Sequence, residues 1–208
     1  MNAKSVETRP IAHQEIIITA AECFMEQGFN ATSIDDVARR LNATKGKIYH
    51  YYASKTDLFF DIHRIGMEKL FAAVLPASRA TGDGLQVLQA MLFAHAMALL
   101  EHYTFESVVV QGVQLHRYGA LTPSQRRVVD DLMASRDEFE ALFKAQLDAA
   151  KADGSAADLN TSIAVKTMLG GLQWSLIWYR PKANETPEDR HNLAEQMVRT
   201  LIEGLRAR

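Results

Sequence analysis

The stretch ATKGKIYHYYASKTDL, residues 43–58, gathers Thr44, Lys45, Lys47, His50, Lys55 and three tyrosines, with no acid before Asp57. These groups suit anionic oxygen and base edges. Lys45 and Lys47 can act as point charges to phosphate or as donors to guanine, the Thr44 and Tyr49 hydroxyls suit phosphate oxygens, and His50 can meet a base edge. Gly46 has no side chain and lets a backbone approach closely. Thr32 and Ser33 place hydroxyls and free amides at another helix start, a favourable place for phosphate. From Val37 to Thr56 the charges are Arg39, Arg40, Lys45, Lys47 and Lys55, all cations, whereas the whole chain carries a net charge of -2. Any attraction to a polyanion is therefore local.

Other constellations are thin. Glu188 and His191 have the Glu-x-x-His spacing of di-iron bundles, but there is no second copy, and first-turn acids serve the helix dipole. His95 and His102 are seven apart and lack a third convergent ligand. Cys23 is the one cysteine, so no intrachain disulfide forms. Phosphate-binding glycine loops and Ser-His-Asp patterns are missing. No catalytic residue, metal or cofactor is expected, and a helical-bundle metalloenzyme is the weaker alternative. A helical interaction or scaffold protein is the other rival, but it would not need the cations.

The elements that position these residues are helices. The chain has 208 residues, 48% hydrophobic and 23% charged, within the globular range. Apolar residues recur at three and four positions, as in Ile16, Ile17, Ala20, Phe24 and Leu193, Met197, Leu201, Leu205, and strand alternation is absent. Helix starts are marked by Thr32 with Asp35, Ser54 with Asp57, Thr122 with Gln125 and Thr186 with Asp189, and by Pro123 and Pro187 in first turns. Gly28 ends the first helix; Pro76, Gly82 and Gly84 end the one begun at Ser54; Asp153-Gly154-Ser155 separates two more. The expected map is a helix at 12–27, short helices at 34–41 and 45–51, and long helices after Ser54. The fold class is all-α: a three-helix helix-turn-helix domain at 1–58 and a larger helical domain at 59–208. The polar N-terminus and the brevity of runs such as Met91–Leu100 predict neither export signal nor membrane anchor, and a cytoplasmic location.

Helix, tight turn and second helix, with Val37, Ala38, Leu41 and Ile48 inward, is the arrangement that lays its second helix in a major groove. The run TSIDDVARRLNATKGKIYHYYASKTDLF resembles the DNA-binding signature of TetR-family transcriptional regulators, continuously from Gly28 to Leu58. The resemblance implies that Thr32, Thr44, Lys45, Tyr49 and Lys55 contact phosphate and that Lys47 and His50 read bases of a double-stranded operator. Asn42 stands where the family often has Gly, and Tyr52 where it usually has Phe; Asn tolerates a left-handed turn and Tyr fills the same space.

The larger domain then has two tasks, homodimerisation and binding a small-molecule effector. Gly170-Gly171 permits close helix approach, and the last helix is apolar on two sides, making Gly170, Gly171, Leu193, Met197 and Leu201 the expected interface. By resemblance, the last two helices form a four-helix bundle across a dimer. Apolar pockets hold a few directed polar groups, which singles out Phe71, His95, His102, Trp174, Trp178 and Tyr179. The segments GLQWSLIWYRP and RYGALTPSQRRVV look like a subgroup sensing CoA thioesters or other catabolic intermediates. That resemblance implies Gln173, Trp174 and Tyr179 near the effector, with Arg180 or Arg117 for an anionic group.

Overall fold

The computed structural model describes residues 9–119 and 121–203, and its elements are helices. Leu205 and the first eight residues lie outside the described residues, as does Ala120. In order they are α1 (Ile11–Ala31), α2 (Ile34–Arg40), α3 (Lys45–Tyr49), α4 (Lys55–Ala77), α5 (Gly84–Glu101), α6 (Tyr103–Tyr118), α7 (Pro123–Ala152), α8 (Thr161–Gln173), α9 (Ser175–Trp178) and α10 (Pro187–Glu203). Packing groups them differently from the division at 58/59 drawn on the sequence. One unit is the chain up to Glu68 with Thr104–Ser135; the other is Lys69–Tyr103 with the chain from Arg136 on. The reason is α6 and the start of α7: Val108, Leu115, Val129 and Leu132 share the core of Ile16, Phe24, Val37, Ile48 and Phe59.

In the first unit, α1 breaks at Gly28, whose φ of 80° lies in the left-handed region that glycine enters without a Cβ penalty. The break leaves carbonyls open, and side chains close them. The Thr32 hydroxyl donates to the Cys23 and Gly28 carbonyls at 3.1 and 2.8 Å. The Lys55 ammonium donates to the Phe29 and Thr32 carbonyls, both at 2.7 Å, and sits 4.4 Å from the centre of the Phe29 ring. Gln111 of α6 donates to the Phe24 carbonyl and accepts from the Phe29 amide, both at 2.9 Å.

With Thr32 turned inward, the cap of α2 moves one residue on. Ser33 and Asp36, not Thr32 and Asp35, exchange the reciprocal bonds: the Asp36 amide donates to Ser33 Oγ at 3.2 Å and the Ser33 amide to Asp36 Oδ2 at 2.9 Å. The end of α2 is a Schellman turn. The Ala43 amide reaches the Ala38 carbonyl, the Asn42 amide reaches that of Arg39, and Asn42 takes φ 51° as its left-handed residue. The expected caps at Ser54/Asp57, Thr122/Gln125 and Thr186/Asp189 are present.

Tyr52 does more than fill space. Its buried hydroxyl donates to Asp61 Oδ2 at 2.6 Å and lies 2.8 Å from His13 Nε2, while Arg9 forks onto the same carboxylate and Arg64 reaches it at 3.0 Å. Burial pulls the Asp61 carboxyl upward, but the hydrogen bonds from Arg9 and Tyr52 and the cationic charges leave it below its ordinary 3.8. The cluster ties the chain just after α3 to both α1 and α4.

The second unit is built on α5, packed against α8, α9 and α10. A Cβ at Gly84 would stand 2.3 Å from Ala150 Cα, so only glycine admits this approach, and the Gly84 and Leu85 amides are taken by Asp153 and Ser155. By length and composition α5 is long and apolar enough to cross a membrane, contrary to the expectation drawn from Met91–Leu100. Yet 61% of it is buried within the fold, which accounts for that composition.

Two variants test these contacts. Lys55→Met removes two charge-assisted bonds to half-buried carbonyls and is expected to cost about 1–3 kcal/mol, seen as a Tm lower by roughly 3–10 °C. Tyr52→Phe is expected to cost about 1–2 kcal/mol at pH 6 by denaturant titration. A carboxyl held low contributes fully above its unfolded pKa and loses that contribution as pH falls. The gap between wild type and Tyr52→Phe therefore narrows at pH 3; a constant gap would deny Asp61 this role.

Candidate nucleic-acid interface

Helix α3 has five residues and one anchor. Ile48 is fully buried, which turns Lys45, Gly46, Tyr49 and His50 outward, all of them exposed, with Thr44 exposed at the N-cap. The Thr44 side chain makes no capping bond. His50 sits edge-on to Tyr51 with centroids 5.0 Å apart, and Tyr51 stacks on His13 of α1 at 4.5 Å, so the end of α3 rests on an aromatic ledge. Thr44, Lys45, Gly46, Tyr49 and His50 are thus brought to one exposed element. Ser33, Lys45, Tyr49 and Lys55 also border an open depression of about 450 Å³ between α2, α3 and the start of α4.

Two residues expected to contact phosphate are committed elsewhere. Thr32 is 1% exposed and its hydroxyl is spent on α1 carbonyls. Lys55 is half-buried over the same helix end, where desolvation lowers its pKa. Both close the break in α1, and neither side chain is presented outward as expected.

The cations are also less bare than local sequence suggests. Lys45 pairs with Asp35 at 2.7 Å, Lys47 with Glu15 at 3.4 Å and Arg39 with Asp36 at 3.1 Å; Arg40 lies between Glu22 at 3.2 Å and Glu26 at 2.5 Å. Hydrogen bonding to Glu26 raises the Arg40 pKa further. Exposed pairs of this kind are worth about 0–1 kcal/mol, so a phosphate can replace the carboxylate at small cost. Sequence reading missed Glu15, Glu22 and Glu26 because they lie on α1, one turn or two apart, and only folding sets them beside α2 and α3.

Of the residues expected to face an effector, Phe71 and His95 come together with Phe139, and Gln173 joins Arg136 at 3.4 Å. The others do not join them. His102 caps the end of α5, roughly 10 Å along the helix from His95. Trp174 and Trp178 are surface residues, 63% and 50% exposed, because Ser175 and Leu176 take the buried positions of that turn. The Tyr179 hydroxyl is held by Glu185 at 2.5 Å, and Arg180 caps α9 through the Ile177 and Tyr179 carbonyls. Arg117 is exposed. The Trp pair is no part of an enclosed chamber. Arg136 was legible in principle: it falls in the register of Leu132, Phe139, Phe143 and Leu147, a charge where an apolar residue belongs.

The expected dimer residues lie on an apolar surface. Ala194, Val198 and Ile202 turn α10 inward, leaving Leu193, Met197 and Leu201 half-buried beside them. A Cβ on Gly171 would stand 3.5 Å from Leu201, and one on Gly170 would meet nothing within 4 Å. Gly170 continues outward in a stripe with Ile163, Trp174, Ile177 and Trp178.

Comparison with known proteins agrees with this geometry. The profile "Bacterial regulatory proteins, tetR family" matches residues 16–62, and "Tetracyclin repressor-like, C-terminal domain" matches residues 81–205. The HTH-type transcriptional repressor KstR2 of Rhodococcus jostii (strain RHA1) is 24% identical over 192 residues, 92% of this chain and 89% of that one. The structure of the ketosteroid transcriptional regulator KstR2 of Mycobacterium tuberculosis superposes with a TM-score of 0.81 at 21% identity, covering 98% of this chain and 99% of that one. AibR, solved with isovaleryl coenzyme A and operator DNA, gives 0.72 at 22%, covering 93% and 97%. These two structures speak for the fold, and the second profile alone spans more than half of the sequence. The chain belongs to the tetR family of bacterial regulatory proteins and is a helix-turn-helix transcriptional regulator.

Proposed function

We propose that the protein is a homodimeric repressor that reads a palindromic operator with α3 and releases it when a small apolar or acyl-type effector binds. The segment 1–58 reads DNA; the segment 59–208 carries the effector and dimer contacts. The observation that carries this reading is the exposed face of α3, with Lys45, Gly46, Tyr49 and His50 outward over the buried Ile48. Thr44, Lys45 and Tyr49 take phosphates, with the Ser33 end of α2 beside them; Lys47 and His50 read base edges once Lys47 leaves Glu15. AibR, a structural neighbour with an acyl-CoA and an operator, supports an acyl-type effector and DNA as the pair of ligands.

A five-residue helix makes few base contacts, so selectivity requires two half-sites, about 34–36 Å apart or a multiple of that spacing. The stripe of Ile163, Gly170, Trp174, Ile177 and Trp178, flanked by Leu193, Met197 and Leu201, supplies a surface for the second copy. Exposed tryptophans in such a stripe suit an interface better than open solvent. Release then follows if the effector shifts α4, the helix that bears both Lys55 and Phe71. A coupling of about 1–3 kcal/mol suffices for a useful change in occupancy.

Binding to duplex DNA is expected to weaken steeply as salt rises. Lys47→Ala and His50→Ala relax base preference, whereas Lys45→Ala weakens all sequences alike. Glu15→Gln frees Lys47 and is expected to tighten binding to every duplex by about two- to fivefold at low salt; a titration showing no change would mean that the pair does not compete with DNA. For the dimer, Ile163→Glu combined with Trp174→Glu is expected to sediment as a monomer and to lose at least about 100-fold in operator affinity. A monomeric wild type, or a dimeric double variant, would refute the assigned surface.

A further inference from the structure

The side chain proposed to read a base at the end of α3 leans on a residue of another helix. His50 is the exposed C-cap of α3, and its ring meets Tyr51 edge-on with centroids 5.0 Å apart and planes at 86°. Tyr51 lies face to face with His13 of α1, at 4.5 Å and 17°. Among the described residues no side-chain hydrogen bond holds His50 or Tyr51, so these ring contacts are what orients them.

His13 is held differently. Its Nε2 lies 2.8 Å from the Tyr52 hydroxyl, which gives its one proton to Asp61 Oδ2 at 2.6 Å. Despite burial the Asp61 carboxyl stays below its ordinary pKa through its bonds from Arg9 and Tyr52, and it has no proton to return. The Tyr52 oxygen therefore accepts, and His13 Nε2–H donates. That assigns the tautomer and pins the plane of the ring. Burial, with the Arg9 charge acting the same way, pushes the His13 pKa below 6.5, and the ring is uncharged at neutral pH. With Nε2–H spent on Tyr52 and no proton on Nδ1, His13 has no donor left for a phosphate. Its backbone is as firm as its ring: Ile16 and Ile17, one turn on, are fully buried.

Resting on the reading that His50 meets a base edge, we infer that His13 is a positioning residue for sequence recognition: bonded to Tyr52 and stacked on Tyr51, it sets the orientation in which His50 enters the groove. An exposed imidazole at a helix end samples several rotamers, and binding must select one of them. A ring already held against a fixed Tyr51 has less freedom left to lose. The gain falls on the base that His50 meets, because only that edge is aimed by the stack. Phosphate contacts from Thr44, Lys45 and Tyr49 gain nothing from it.

The test begins with the full-length protein at neutral pH selecting from duplexes with a randomised stretch of about 20 base pairs, room for two half-sites. The selected site and its single-base variants are then titrated at fixed salt, and His50→Ala identifies the position that His50 reads. His13→Ala and Tyr51→Leu are expected to lower discrimination at that position by about three- to tenfold. Affinity of the His13 variants for an unrelated duplex, and its salt slope, stay within about twofold of wild type. His13→Phe, which keeps a ring but not the bond, falls between. In the His50→Ala background, His13→Ala changes nothing further. A His13→Ala protein that weakens every duplex alike, keeps wild-type discrimination at that position, or adds its loss to that of His50→Ala overturns the inference. If His50→Ala leaves discrimination intact at every position, His50 is no base reader and the inference falls with that reading; a loss with His50→Ala and none with His13→Ala sinks this inference alone.

Discussion

The break in α1 at Gly28 is the constraint on which the DNA-reading half depends. A helix that stops there exposes carbonyls in a place that solvent does not reach freely, and each must be matched. Three separate parts of the chain match them: Thr32 just beyond the break, Lys55 at the start of α4 and Gln111 in the middle of α6. Helices of seven and five residues cannot persist alone. Here α2 and α3 hang between Thr32 and Lys55, so the bonds that close α1 also fix where the short helices begin and end. Gln111 adds a reach of more than 80 residues along the sequence, since it holds both the Phe24 carbonyl and the Phe29 amide. Any displacement of α6 is thus felt at the joint from which α2 departs.

Charge is managed in a similar way. The chain carries a net charge of -2, yet α2 and α3 carry Arg39, Arg40, Lys45 and Lys47, and folding brings carboxylates from α1 and α2 to all four. The arrangement keeps long side chains oriented without locking them, because exposed pairs exchange readily for other anions. On the proposed function, phosphate binding at this surface is an exchange of partners, not a neutralisation of bare charge. Under the proposed reading, acids on α1 tune affinity for all sequences, while the α3 side chains set which sequence is preferred. Arg9 and Asp61 show the opposite regime: a desolvated pair with Tyr52 and Arg64 on the same carboxylate, where removing one partner leaves a charge stranded.

Much of this was legible in the sequence, for physical reasons that also mark where legibility ends. Caps and turns are local, so Ser54, Thr122, Thr186 and the left-handed Asn42 were readable from neighbours three or four residues away. Ile48 as the inward residue of α3 followed from helical spacing. The one-residue shift from Thr32 to Ser33 was not readable, since both are good caps and the choice turns on carbonyls opened by Gly28. Lys55 looked like a phosphate ligand because sequence reports a charge and not its partner. Trp174 and Trp178 looked like pocket walls because aromatic content is silent about which face meets solvent. For Lys55 the deciding contacts lie far back in the sequence, at the Phe29 and Thr32 carbonyls.

The shortness of α3 has a consequence for control. In the proposed dimer, few contacts per copy mean that each contributes modestly, and the assembly binds only when both copies are seated at once. The operator affinity then depends on the product of two weak engagements, so a small effector-induced misplacement of either α3 is amplified in the whole. With the proposed coupling of about 1–3 kcal/mol per copy, two copies together change operator affinity by a factor of about thirty to about twenty-five thousand. Such leverage requires that α3 be held stiffly within its own packing unit. The matched carbonyls of α1, with Lys55 and Gln111 as their donors, are stiff because breaking any of them strands a buried polar group; a looser joint would let α3 re-seat and the signal would be lost.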